Sequence, residues 1–228
     1  MAWVKDRENL HIAAISSAKA ISKNKELASK NTSSNRSPSL GQISLTAAPR
    51  SSAKIGAWRG EADFQAFWNL YHKNLEELPL KKDAREIFQE LELSRVEILG
   101  GDKYKGAKQN IIAHIEQKSA ELIHEKIQSQ LPFAINLWLK HVNGYKFSGA
   151  AKDIITNFKD VFLPEDNSDL ETAFTKSLND QHAFEKESLR LLRQLNLLKE
   201  HSNDSMEEDD VESPGSVSYT HLTLPTKA

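Results

Sequence analysis

The sequence predicts an all-α protein: an irregular bundle of about six to eight helices, with a flexible segment at 25–57 and a disordered acidic C-terminal tail. Three observations carry that prediction. Apolar residues recur at i, i+3, i+4 and i+7 in one stretch after another. No stretch alternates with period two for long enough to found a sheet. Gly and Pro fall between the periodic stretches, where helices stop. With 39% hydrophobic residues in a chain of 228, there is material for a core.

Residues 8–24 read as a first helix, with Ile12, Ile15, Ala18 and Ile21 near one face. From 25 to 57 the composition turns to Ser, Asn, Thr, Ala and Lys with Pro38, Gly41, Pro49 and Gly56, and the apolar period is lost. That segment is expected to be a loop or linker, with room for one short strand around Ile43 and Leu45. A helical domain is then expected over 58–199. Its first helix starts at Arg59-Gly-Glu-Ala-Asp63 and carries Phe64, Phe67, Trp68, Tyr71, Leu75 and Leu78 as a broad apolar stripe that Pro79 ends. A helix over 81–98 places Ala84, Ile87, Phe88, Leu91 and Ile98 on one face, and Gly100-Gly101 reads as its stop.

The next helix, 105–129, turns Ile111, Ile112, Ile115, Leu122 and Ile127 inward. Pro132 suits the first turn of a helix over 132–142, which Asn143-Gly144 closes. Ile154, Ile155, Phe158, Val161 and Phe162 define a helix over 149–162, stopped by Pro164. Asp169 is a candidate N-cap for a short helix to about Leu178. The last helix, 181–199, carries Phe184, Leu191, Leu192, Leu195 and Leu198.

The formal net charge of −2 conceals an asymmetry. Seven of the 32 acidic residues lie between Glu200 and Glu212, leaving 25 in residues 1–199 against 29 Lys and Arg. The body is therefore mildly basic, and 200–216 is expected to be an acidic, disordered linker. Absence of cysteine excludes disulfides and thiolate metal sites. No apolar run approaches the roughly 20 residues that span a bilayer, and the N-terminus is too charged for a secretory signal, so a cytoplasmic location is expected. Back-translated, Val217 to Thr226 follow a transposase-type sequencing-library adaptor read in one frame. Residues 217–228 are accordingly expected to be adaptor-derived, with native sequence stopping near Gly215.

Motifs for chemistry are few. Gly101-Asp-Lys-Tyr-Lys-Gly106-Ala107-Lys108 approaches a phosphate-binding loop, but Ala107 stands where the lysine must be and a helix, not a strand, precedes it. A turn between helices is the expected role. The histidines are scattered, and after His124-Glu125 the second zincin ligand position holds Gln128. No catalytic, cofactor-binding or metal-ligating residue is therefore assigned. Lys103, Lys105 and Lys108 form a basic cluster without a helix-turn-helix or aromatic platform, so nucleic-acid binding is not expected. Arg95 is the informative charge. It lies between Leu91 and Ile98 on an apolar face and needs an acceptor, either a carboxylate such as Glu92 or one from a neighbouring helix, or a partner subunit.

Three segments in order, Arg59-Gly-Glu-Ala-Asp63, Glu92-Leu-Ser-Arg-Val-Glu-Ile-Leu-Gly100, and Asn179-Asp-Gln-His-Ala-Phe184 leading into Leu189-Arg-Leu-Leu-Arg193, are followed by the acidic run. Together they resemble the N-terminal region of the CobT subunit of aerobic cobaltochelatase, which is distinct from the phosphoribosyltransferase sharing that name. The resemblance spans nearly all of residues 8–212, and its motifs are structural. It implies a part in aerobic cobalamin synthesis, in which cobalt is inserted into hydrogenobyrinic acid a,c-diamide at the expense of ATP. By the same resemblance, a CobN-type large subunit holds the tetrapyrrole and the cobalt, and a CobS-type AAA+ partner handles ATP and Mg. The CobT subunit joins CobS in a hetero-oligomeric ring. A von Willebrand factor A domain follows the acidic linker in that family, and its Asp-x-Ser-x-Ser motif is not in this sequence.

Arg59, Glu61, Asp63, Glu92, Arg95 and Glu97 are the candidate structural or partner-contact residues, and loss of Arg95 or Glu97 is expected to weaken assembly or stability, not chemistry. The alternative reading is a helical adaptor of another AAA+ and von Willebrand A pair that remodels a different metalloenzyme.

Overall fold

The computed structural model describes residues 2–33, 37–74, 81–163 and 167–198. Leu75, Leu78, Pro79, Pro164, the acidic run from Glu200 and the adaptor-like end all lie outside the described residues. Eight helices are present among those described: α1 (Ala2–Ser22), α2 (Ile55–Tyr71), α3 (Lys82–Lys103), α4 (Lys105–Leu122), α5 (Ile127–Val142), α6 (Gly149–Phe162), α7 (Ser168–Ser177) and α8 (Gln181–Gln194). Two short strands, β1 (Ala28–Asn31) and β2 (Gln42–Leu45), pair in parallel with Ala28 opposite Gln42 and Asn31 opposite Leu45. No helix among the described residues is long and apolar enough to cross a membrane.

Helices α2 to α8 share the main core. Phe67, Leu91, Ile111, Leu137, Trp138, Phe174 and Leu192 are all fully buried there. A second, smaller core lies between α1, the strands and α2, where Ala14, Ala18, Leu27, Ile43, Leu45 and Trp58 meet. The segment expected as a loop or linker over 25–57 thus packs Leu27, Ile43, Leu45 and Ala48 into this core. Its strand at Ile43 and Leu45 stands where the sequence placed one, and β1 is an addition.

Beside the apolar contacts of Trp58, Ala62 and Ala66, a polar ladder on α2 holds this Ser-rich layer. The Glu61 carboxylate accepts from the Thr46 N–H and hydroxyl at 3.3 and 2.8 Å. One turn on, the Gln65 carboxamide accepts from Ser44 N–H and donates to Ser44 C=O, both at 2.7 Å, as a neighbouring strand would. Asn69 Oδ1, a further turn on, accepts from Gly41 N–H at 2.7 Å. Residues at i, i+4 and i+8 lie on one helix face, so side chains from one helix satisfy a backbone that has only a two-stranded ladder of its own.

Several boundaries differ from expectation for identifiable reasons. Helix α3 does not stop at Gly100-Gly101 but runs through both to Lys103. A Cβ on Gly100 would enter the Phe67 ring, and one on Gly101 would meet the Tyr145 hydroxyl. The glycines are there for close packing, not for a turn. Helix α4 ends at Leu122, short of 129, because the Gln130 side chain donates to the carbonyls of Leu122 and Glu125 at 2.9 and 2.7 Å. Ile127 therefore opens α5, and Pro132 sits inside that helix instead of in its first turn. There its missing N–H forfeits one bond near the helix start.

Helix α2 begins at Ile55, ahead of Arg59, and closes at Tyr71, before the expected proline. Asn167, not Asp169, precedes α7, and Asp169 lies in its first turn. Asp180 supplies a true N-cap for α8, accepting from the N–H groups of His182 and Ala183. That helix ends at Gln194, not 199, since Asn196 takes a left-handed conformation at φ 57°. Val161, expected inward, is about half exposed.

Candidate functional site: a buried charge spine and the cleft beside it

The three motifs named above reach different places. Arg59 donates to Ser17 Oγ at 3.2 Å and ties α2 to α1. Glu61 holds Thr46 as described. Asp63 is buried, accepts from Asn110 Nδ2 of α4 at 2.7 Å, and has its carboxyl pushed above the usual range by burial, against the opposing pull of Asn110 and Arg59. Between them, Gly60 faces the Asn110 carbonyl so closely that a Cβ would touch it and His114. The motif therefore fastens α2 to three neighbours at once.

On α3, Glu92 and Arg95 form a bidentate ion pair, Nε to Oε2 and Nη2 to Oε1, both 2.7 Å, with each residue almost wholly buried. The guanidinium also donates to the Leu178 carbonyl at 3.1 Å, the Tyr71 carbonyl at 3.2 Å and Gln181 Oε1 at 3.1 Å. Its carbon lies 5.9 Å from the centre of the Phe184 ring. Gln181 in turn accepts from Lys73 N–H and donates to Lys73 C=O. Glu92 has a third neighbour, His72 Nδ1 at 2.9 Å, whose ring stacks on Trp68. One guanidinium thus joins the end of α2, the middle of α3 and the α7–α8 junction.

Glu97, little more than a turn further along, belongs to a different cluster. Its carboxylate pairs with Lys140 of α5, which also donates to Asn136 Oδ1. Asn136 donates to the Glu90 backbone and carboxylate at 3.1 and 2.8 Å, and its carbonyl accepts from Ser94 Oγ at 2.7 Å. Tyr145 donates to the Glu97 carbonyl at 2.8 Å. Burial pushes the Glu97 carboxyl up and the Lys140 ammonium down, each opposed by the attraction of the other. Burial likewise raises the Tyr145 hydroxyl.

This second cluster floors a cleft of about 620 Å³ between α2, α3, α4 and α5. Phe64 and Trp68, with Phe133, give it apolar walls, and Glu86, Gln89, Gln117 and Glu121 lie along it. His114 also lines it and is lowered to about 4, first by burial and then by the nearby Lys118 charge. Among the described residues, no three His, Asp or Glu side chains converge as metal ligands would.

Of the residues in these clusters, Asn136, Lys140, Gln65 and Tyr145 were not singled out from sequence. A signal existed for two of them: Asn136 and Lys140 stand four apart inside the apolar run Phe133-Ala-Ile-Asn-Leu-Trp-Leu-Lys140, where polar groups must find each other.

The described residues form an irregular all-α bundle whose buried charges join helix to helix. The family description "cobalamin biosynthesis protein CobT" matches residues 5–219, and the chain belongs to that family. The protein thereby has a role in cobalamin biosynthesis. Searches of curated proteins and of solved structures returned no match.

Proposed function

We propose that the helical body is the non-catalytic N-terminal region of a cobaltochelatase CobT-type subunit. It assists ATP-dependent cobalt insertion into hydrogenobyrinic acid a,c-diamide by assembling with an AAA+ ATPase subunit of CobS type. ATP and Mg are then handled by that partner, and cobalt and the corrin by a CobN-type large subunit. The observation that supports this reading is the extent of the family match, residues 5–219, which covers all but the first three described residues of the bundle. The use of its charged residues as internal fasteners agrees with an assembly part more than with a reaction centre.

The decisive experiment is reconstitution. Purified CobS-type and CobN-type proteins would be mixed with the chain, and cobalt insertion followed by corrin absorbance. ATP-dependent insertion that requires this chain, with co-elution of chain and ATPase as a ring-sized species, is the expected result. Co-elution without insertion would instead identify an adaptor of another AAA+ machine.

A further inference from the structure

We infer that the cleft between α2 and α5 is a binding site for a cationic side chain, an arginine or lysine of a partner polypeptide together with its apolar neighbours. Four carboxylates line it, Glu86, Glu90, Glu97 and Glu121, against two ammonium groups, Lys118 and Lys140. Both ammonium groups are already committed. Lys140 is sealed against Glu97, and Lys118 lies 4.0 Å from Glu90. Glu121 is exposed and has no ion-pair partner among the described residues, and Glu86 has only the exposed Lys82 at 4.0 Å. His114 is neutral at physiological pH and adds no positive charge. Among the described residues that line it, the cleft is therefore net negative, with the exposed Glu86 and Glu121 carboxylates carrying the excess.

The molecule itself shows how such a cation would sit. Lys118 Nζ lies over the Phe133 ring, 4.4 Å from its centre, beside the Glu90 carboxylate. An aromatic face and a carboxylate held together make a cation subsite, and Lys118, still partly exposed, fills it in the free protein. Phe64 and Trp68 line the same cleft and offer apolar contact to the stem. A volume of about 620 Å³ lies within the range of built ligand sites and has room for a side chain with flanking residues. This inference rests on the cleft alone and holds whichever AAA+ machine the chain serves.

The test is a titration of the full chain, followed by the NMR shift of the Trp68 indole, with acetyl-Leu-Arg-Leu-amide, acetyl-Leu-Glu-Leu-amide and free arginine. Saturable binding of the arginine peptide alone is expected. The double variant Glu86→Gln/Glu121→Gln should weaken it by about three- to tenfold, the scale of exposed charge pairs. Lys118→Met, which vacates the subsite, should tighten it several-fold. Equal binding of the acidic peptide, no binding of the arginine peptide, or indifference to the double variant would overturn the site. Free arginine binding as well as the peptide would overturn the polypeptide as its source.

Discussion

Two buried ion pairs, one within α3 and one joining α3 to α5, make an instructive contrast. Their glutamates, Glu92 and Glu97, lie little more than a turn apart on α3, and all four residues of Glu92–Arg95 and Glu97–Lys140 are at most 3% exposed. The first is bidentate and its guanidinium also serves two main-chain carbonyls and Gln181. The second joins an ammonium to a carboxylate beside a cleft, and burial drives both groups toward their neutral forms. Charge burial is expensive in either place. The difference lies in what else the pair satisfies. Arginine cannot shed its proton and must be matched by acceptors, whereas lysine and glutamate can both retreat to neutrality.

The sharpest way to expose the contrast is to remove one partner from each pair. Arg95→Ala leaves Glu92 buried without its cation and two carbonyls without a donor. A loss of about 3–5 kcal/mol is expected, read by urea denaturation. The same denaturation across pH reports on the cleft side. His114 has its folded pKa at about 4, below its ordinary 6.5, so the unfolded chain takes up the proton first as pH falls. Its contribution is complete above pH 6.5 and is lost between 6.5 and 4, about 3 kcal/mol in all, and His114→Gln should flatten that slope.

Glu97→Ala should cost about 2 kcal/mol, less than Arg95→Ala, because Lys140 can deprotonate. The smallest effect belongs to the double replacement Glu97→Leu/Lys140→Met, which leaves only Asn136 Oδ1 without a donor, about 1 kcal/mol below the parent by thermal melting. Glu92→Leu/Arg95→Met should stay well below the parent, since Leu178 and Tyr71 keep unpaired carbonyls. If the two double variants were equally stable, the contrast would fail.

Much of this was legible in the sequence. The 3.6-residue period located the helices, and a lone arginine on an apolar face forced the search for a buried acceptor. Of the N-terminal layer only the strand at Ile43 and Leu45 was legible, because much of its anchoring comes from Glu61, Gln65 and Asn69, polar residues that look like an ordinary solvated helix face. Gly100-Gly101 misled for a related reason: a glycine pair that ends one helix is indistinguishable in sequence from one that lets Phe67 and Tyr145 approach. Lys140 stood out only as a charge inside an apolar run; its partner Glu97 was not legible, being 43 positions away on another helix. Tertiary contacts of that range leave no periodic trace.

Native-state hydrogen exchange on Arg95→Lys examines the fastening role of the guanidinium. Lysine keeps the charge but cannot reach Glu92, Leu178 and Tyr71 together. Faster exchange, by about tenfold or more, is expected for the first turns of α8 and for residues 71–73, with α4 and α5 unchanged, a gap of at least about 1.4 kcal/mol in local opening. Uniform acceleration across all helices, or none at α8, would show that Arg95 does not hold the α7–α8 junction to the bundle.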